Sequence, residues 1–360
     1  MADIISIARA LPDHCHRQSA IFHFMQNNYG LSADETRKLK FLYDHSGIET
    51  RYSVVKDYGA DASERSFIPS EKEADFPNLE QRMEVFEKEA LSLSVKAIEA
   101  CLDNIMSPQE ITHLITVSCT GMSAPGLDLQ LMNEMKLLPN IFRTSVNFMG
   151  CYAAIHALKL AKMICDSTPD AKVVIVCTEL CTLHFQKEFT EDNAASSLLF
   201  ADGCAAVLVS NCLASENALS LKGFYSYVAQ EGSPDMAWQL NSKGFLMTLS
   251  GYVPQLIGQD ISSLVDAAVS YNQLTRADIT HWCIHPGGKR ILDVIQKQLD
   301  LPVEALQFSR DVLKNYGNMS SPTVLFVLQE IMNSLHKTPA TILGMAFGPG
   351  LTMETFIAEK

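Results

Sequence analysis

The chain has 360 residues, 47% of them hydrophobic and 19% charged; this is too long for one small core and too apolar for disorder, and it predicts two halves of similar size. A net charge of −13 speaks against nucleic acid as a partner, since phosphate binding needs a basic surface, although a nucleotide-bearing substrate needs only a local basic patch. No apolar run reaches the length of a membrane span, and the opening MADIISIARALPDH has neither the basic start nor the cleavage site of a signal peptide.

Residues 4–10 read as a first strand and residues 17–45 as largely helical. The basic residues of RKLKFLYDHSGIETRY (37–52) read, on their own, as a solvated face. Residues 56–80, polar and acidic with Pro69 and Pro77, read as an exposed connection. A helix over 86–105, a strand over 111–118, the loop CTGMSAPG (119–126) and a helix over 127–135 follow. The chain then reaches RTSVNFMGCYAAIHALKLAKMI (143–164), a short strand, a sharp turn at Met149 and Gly150, and a helix opening on Cys151. Ala153, Ala154, Ala157, Leu158 and Ala161 recur at helical spacing, which predicts burial on most sides. Residues 171–178 form an apolar strand. Strands apolar throughout, alternating with helices, predict a parallel-type sheet covered on both faces.

The turn at 200–203 feeds a strand over 204–210, and the polar run 211–219 marks a boundary between domains 1–215 and 216–360. Beyond it the plan repeats: a strand over 221–228, a helix over 253–271 and a strand over 281–284. Helices over 289–299, 310–314 and 321–335 and strands over 341–346 and 351–357 complete it. The duplication is read from element order, because sequence identity between the halves is weak. Ten cysteines lie mostly in apolar stretches without the paired spacings of a disulfide framework, as expected in a reducing cytoplasm. Cys177 and Cys181 lie four apart with no second ligand pair, so no metal site is expected.

Four segments bear chemistry. Cys151, at the start of a buried helix, lies near the positive end of the helix dipole and unpaired N–H groups, which favours thiolate; alone, it reads equally as a small buried hydrophobe. His285 ends an apolar strand before Pro-Gly-Gly, a place where histidine is more often structural. Asn318 precedes a buried helix, where asparagine usually caps. AFGPG (346–350) is by itself only a hairpin turn.

Together, in this order, the segments resemble the thiolase superfamily, and more closely the type III polyketide synthases of the chalcone and stilbene synthase family. Similarity is nearer to the bacterial than to the plant members. It runs from GIETRY (47–52) to GPGLTMET (348–355), carried by HPGG, YGNMSSP, LFADG (199–203) and FGPGLT. The resemblance implies an α/β thiolase-like fold with a duplicated, layered α-β-α-β-α core and mixed sheets. It implies an acyl-CoA starter held on Cys151 and malonyl-CoA as extender, with His285 and Asn318 acting on the malonyl thioester. A homodimer and no resident cofactor or metal are implied as well. Phe200 matches an aromatic gatekeeper, and Val253 aligns with a second gatekeeping phenylalanine that is lost. Gly244 aligns with a cavity glycine. Cys119, Cys181 and His184 align with cavity threonines, so an aromatic plant starter is not expected. Ser320 and Pro349 fall among substrate-contacting positions. Lys38 matches one of three basic residues that hold the CoA phosphates, with Phe41 and His45 at the other two. Ala124 lies in the loop that crosses the twofold axis.

Decarboxylative Claisen condensation needs an acyl-holding nucleophile and donors aimed at a developing oxyanion. A histidine near a helix-start cysteine can also form a thiolate–imidazolium pair, as in Cys–His enzymes. The imidazole of His184 is expected either to narrow the cavity or to be tied to a neighbouring carbonyl. A carrier-protein-dependent β-ketoacyl synthase of the initiation type shares Cys-His-Asn. A non-catalytic synthase-like subunit typically loses one of the three, all of which are kept here. A papain-like hydrolase leaves FGPG unexplained.

Overall fold

A strand without polar positions has to be covered on both faces, and layering achieves this here. The computed structural model describes residues 1–69, 75–232, 235–335 and 338–360. The first half runs β1 (Asp3–Ala10), β2 (His14–Arg17), α1 (Gln18–Tyr29), α2 (Ala33–Asp44), β3 (Thr50–Ser53) and α3 (Leu79–Leu102). It continues through β4 (His113–Ser118), α4 (Leu127–Glu134), β5 (Phe142–Asn147), α5 (Ala153–Ser167), β6 (Lys172–Leu180), α6 (Glu191–Leu199) and β7 (Asp202–Ser210). The second half runs β8 (Leu219–Val228), β9 (Met236–Asn241), β10 (Gly244–Leu249), α7 (Val253–Tyr271), β11 (His281–Ile284) and α8 (Lys289–Gln298). It closes with α9 (Gln307–Tyr316), α10 (Thr323–Ser334), β12 (Thr341–Gly348) and β13 (Thr352–Glu359). None of the described helices is long and apolar enough to cross a membrane.

The strands form one nine-stranded sheet in the order β11-β12-β13-β8-β1-β7-β6-β4-β5. It is mixed, as the resemblance implied, and the parallel-type sheet expected from apolar strands is corrected. Only β4–β5, β4–β6 and β11–β12 run parallel; β1–β7, β6–β7, β1–β8, β8–β13 and β12–β13 run antiparallel. Burial on both faces reports the helical layers, not strand direction. The duplication is visible in the topology: β4-β6-β7-β1 and β11-β12-β13-β8 have the same order and sense at each step. The two sets join through β1 and β8, at Asp3 with Ser220 and Ile4 with Leu219.

Side chains alternate between cores with the strand period of two. Ile115, Val117, Val173, Ile175 and Val207 enter a central core with α5 and α10, and so do Ile342, Ala346 and Phe356 from the second half. Their neighbours Leu114, Val174, Val176 and Leu208 face an outer core with Phe22 of α1 and Leu93 of α3. Leu343, Met345 and Ile357 face a second outer core with Ile261 of α7 and Leu292 of α8. α5 touches β4, β6, β7 and, across the molecule, β13; α10 touches β11, β12, β1 and β7.

Three local features differ from the sequence expectation. α1 stops at Gly30 in left-handed geometry, and α2 restarts at a Ser32–Glu35 capping box. The 56–80 connection is tied down: the buried Asp57 carboxylate accepts from the N–H groups of Ser66, Phe67 and Ile68. Its residues 70–74 lie outside the described residues. The β9–β10 hairpin, which pairs Gly244 with Asn241, was not foreseen.

Because Ala157 is fully buried between the halves, Ala157→Leu should destabilise by about 1–3 kcal/mol through overpacking. A lowered urea midpoint in equilibrium unfolding is the expected result; an unchanged midpoint would show that the central layer has spare room.

Candidate active site

Cys151 lies two residues before α5, not in its first turn, because Tyr152 occupies the position preceding the helix. The turn is held from two sides. Gly150 has φ +80°, and a Cβ there would come within 2.3 Å of Pro349 Cδ, so the closing glycine loop packs on the cysteine turn. Gly150 N–H also donates to Cys119 Sγ at 3.0 Å. Cys119 is in turn held by its backbone, its N–H donating to Glu179 and its carbonyl accepting from Trp238 Nε1 at 2.7 Å.

Asn318 and His285 come from the other half. Asn318 pairs through its backbone with the end of α6: its N–H donates to Leu199 O at 3.0 Å, and its carbonyl accepts from Ala201 N–H at 2.9 Å. Its side-chain Oδ1 accepts from Ser320 N–H at 2.8 Å, an Asx turn that supports Ser320 at a left-handed φ of +60°. With Oδ1 engaged, the amide nitrogen faces the site, where it donates to Gly287 O at 3.2 Å. Gly287 follows His285 by two residues. Asn318 and Ser320 lie close enough to Cys151 to hold its thiol pKa down, and the Asn318 amide joins them to the His285 loop through Gly287.

Desolvation dominates the electrostatics. Burial pushes the Cys151 thiol up to about 11; hydrogen bonding to Ser320 and Asn318 pulls it down, and the Glu179 carboxylate raises it further. His285 is 1% exposed, and neither ring nitrogen has a hydrogen-bond partner among the described residues. Burial lowers its pKa to about 3. Both shifts favour a neutral thiol and a neutral imidazole over an ion pair, the effect being stronger for the enclosed imidazole than for the half-buried Cys151. Taking charge out of water works against the charged form of both groups, and a nearby helix end offsets only part of it.

Glu179, at the end of β6, was missed by sequence reasoning. Its carboxylate is fully buried and accepts from Cys119 N–H at 2.9 Å, Thr120 Oγ1 at 2.8 Å and Ser321 Oγ at 2.8 Å. Burial raises its pKa to about 7 against these hydrogen bonds. It thus ties the loop after β4 to the residues leading into α10.

A cavity of about 50 Å³ lies beside this centre, lined among others by Cys181, His184, Phe200, Trp238, Phe245 and Met247. His184 is a lining group and is also tied at both ring nitrogens. Nε2 donates to Thr120 O at 2.7 Å, and Nδ1 accepts from Phe245 N–H at 3.2 Å, which leaves a neutral ring. The ring stacks on Phe245 at 4.3 Å. Gly244 sits behind it: a Cβ there would approach His184 Nδ1 to 3.2 Å. Val253 opens α7 and is buried in the second outer core with Ile257 and Ile284. Met247 and Trp238 line the wall, and the alternation MAWQLN–GFLMTL around a two-residue turn is the signal that could have revealed their hairpin. Lys38 stands exposed on α2 and does not line the cavity. Phe41, on the same helix, is 61% exposed and stacks on His45 at 4.1 Å.

Glu179 also sets a pH dependence. A carboxyl whose folded pKa is raised contributes stability that is complete below its unfolded value of 4.5 and is lost as pH rises through about 7. Glu179→Gln can keep all three hydrogen bonds without a charge. Its melting temperature relative to wild type should therefore climb as pH rises through about 7, and Cys151 should alkylate with iodoacetamide at lower pH. A pH-independent difference between the two proteins would contradict this.

Comparison with known proteins agrees with this geometry. Residues 1–212 match the family model for the N-terminal domain of chalcone and stilbene synthases, and residues 226–360 match that for their C-terminal domain. A "Putative chalcone synthase" of Bacillus subtilis (strain 168) is 28% identical over 99% of this chain and 98% of its own length. "Probable polyketide synthase 1" of Dictyostelium discoideum is 30% identical over 98% of this chain, which spans 11% of that protein's length. The crystal structure of PKS-I from the brown alga Ectocarpus siliculosus superposes with a TM-score of 0.91 at 27% identity, covering 99% of this chain and 98% of that one. The C-terminal type III polyketide synthase domain of Steely1, from Dictyostelium, gives a TM-score of 0.92 at 27% identity, covering 100% and 99%. The chain belongs to the chalcone and stilbene synthase family of type III polyketide synthases.

Proposed function

We propose that this enzyme loads an acyl group from an acyl-CoA onto Cys151 and extends it with malonyl-CoA by decarboxylative Claisen condensation. The observation that carries the proposal is Asn318: its Oδ1 is engaged by Ser320 N–H, so its amide nitrogen is free to donate, and it donates to Gly287 O of the His285 loop beside Cys151. A neutral His285 supplies an N–H donor or a basic nitrogen as each step requires, and asparagine donates at any working pH.

In loading, Cys151 Sγ attacks the acyl-CoA carbonyl while its proton passes to the His285 imidazole. The carbon–sulfur bond to CoA then breaks, and the leaving thiolate takes that proton. In extension, His285 and Asn318 donate to the carbonyl oxygen of the malonyl thioester. The bond to the carboxylate breaks, carbon dioxide departs, and the electron pair remains as an enolate stabilised by both donors. The enolate carbon attacks the Cys151 thioester, a carbon–carbon bond forms and the cysteine sulfur is released. Repetition on the CoA-bound product, followed by ring closure, gives a pyrone, resorcinol or related polyketide. The chemistry uses CoA thioesters and no resident cofactor.

A homodimer is part of the proposal. Met122 and Ala124 are exposed on the loop after β4, and β5 leaves an unpaired sheet edge on which Phe142 is 69% exposed. Exposed edges and large apolar side chains are features that association covers.

Two measurements test the reading. Incubation with acyl-CoA and malonyl-CoA, without carrier protein, should yield polyketide products by mass. Cys151→Ala should abolish them while leaving the protein folded. Asn318→Ala should slow malonyl-CoA decarboxylation by about 100- to 1000-fold, the usual loss of one oxyanion donor. An acyl group mapped only to another cysteine, or products that require a carrier protein, would refute the proposal. Sedimentation should show a dimer, and a monomer alone at micromolar concentration would reject that part.

A further inference from the structure

We infer that Arg51, acting with Gln18, is the positioning residue for Asn318; the inference rests on the role proposed for Asn318 above. The last carbonyls of a helix lack partners within it, and in α6 each finds a donor elsewhere. Ser197 O accepts from Tyr43 Oη at 3.1 Å, and Leu198 O accepts from Gln18 Nε2 at 2.9 Å. Leu199 O accepts from Asn318 N–H at 3.0 Å, and Phe200 O accepts from Arg51 Nη1 at 2.5 Å. Arg51 Nε also donates to Gln18 Oε1 at 2.9 Å, so the two side chains form one unit. Asn318 is thus hung on a segment whose neighbouring carbonyls on either side are gripped by this pair.

Arg51 meets the asparagine a second way. Its stem lies flat on Gly317, where a Cβ would come within 2.9 Å of Arg51 Cδ and Cγ. Arg51 is 4% exposed, and its Nη2 has no partner among the described residues. A neutral donor would cap a carbonyl without this burden. A cation on Phe200 O does more: it complements the negative helix end and polarises the Phe200–Ala201 peptide, whose N–H donates to Asn318 O. The pair lies in the first half of the chain and orients a group of the second.

The test separates positioning from general damage by measuring two reactions in Arg51→Met, Arg51→Lys and Gln18→Leu. In Arg51→Met, kcat for malonyl-CoA decarboxylation should fall about tenfold or more, with KM for malonyl-CoA and the rate of Cys151 acylation by acyl-CoA little changed. Arg51→Lys should recover part of the loss, and Gln18→Leu should show a smaller fall in the same step. Equal losses in both reactions, or none in either, would overturn the inference. If Arg51→Met does not fold, the other two variants carry the same comparison. If wild-type protein does not decarboxylate malonyl-CoA, the proposed function fails, and positioning is then read directly. A crystal structure of Gln18→Leu should show the Asn318 Nδ2 to Gly287 O contact broken, and an unchanged contact would overturn the inference.

Discussion

Two backbone hydrogen bonds, from Asn318 N–H to Leu199 O and from Ala201 N–H to Asn318 O, are the constraint on which the site depends. They are the point where the second half of the chain is clipped to the end of α6 in the first. Cys151 is placed by α5 and β5, His285 by β11, and Asn318 by the turn before α10. These three placements come from well-separated parts of the chain. What makes their relative positions reproducible is the shared central layer, in which α5 and α10 each pack on strands of both halves. A packed apolar interior resists sliding, so short backbone contacts at its rim become precise.

The same burial decides the chemistry. A helix terminus contributes typically about 0.3–1 kcal/mol to a nearby charge. Raising the Cys151 thiol from 9.0 to about 11 corresponds to roughly 3 kcal/mol. Desolvation outweighs the helix end, which favours the thiol at Cys151. His285 is depressed by the same physics in the opposite direction, so both shifts work against an ion pair. The buried Glu179 obeys the same physics: it organises Cys119, Thr120 and Ser321, and its negative charge, when formed, holds the thiol protonated.

Much of this was legible in the chain itself. Apolar strands such as residues 171–178, the small-residue run after Cys151 and the repeated order of elements disclosed a layered, duplicated α/β fold. This is because hydrophobic periodicity is written locally. HPGG, YGNMSSP and FGPGLT pointed to the family because glycine turns with tight sterics tolerate few alternatives, as Gly150 against Pro349 shows.

Other features were settled only in three dimensions. Strand direction could not be read from burial, because β7, antiparallel to both neighbours, is as buried as parallel β4. Trp238 and Met247 reach a cavity wall because a hairpin register, not a linear offset, decides which residues face inward. Glu179, Arg51 and Gln18 carry no sequence signature of their own: their meaning lies in carbonyls and amides contributed by distant segments. Local pattern determined the elements, and the motifs taken together pointed to the candidate site residues through the family they resemble. Tertiary packing alone determined their protonation and orientation, because desolvation and hydrogen-bond partners are properties of the assembled interior.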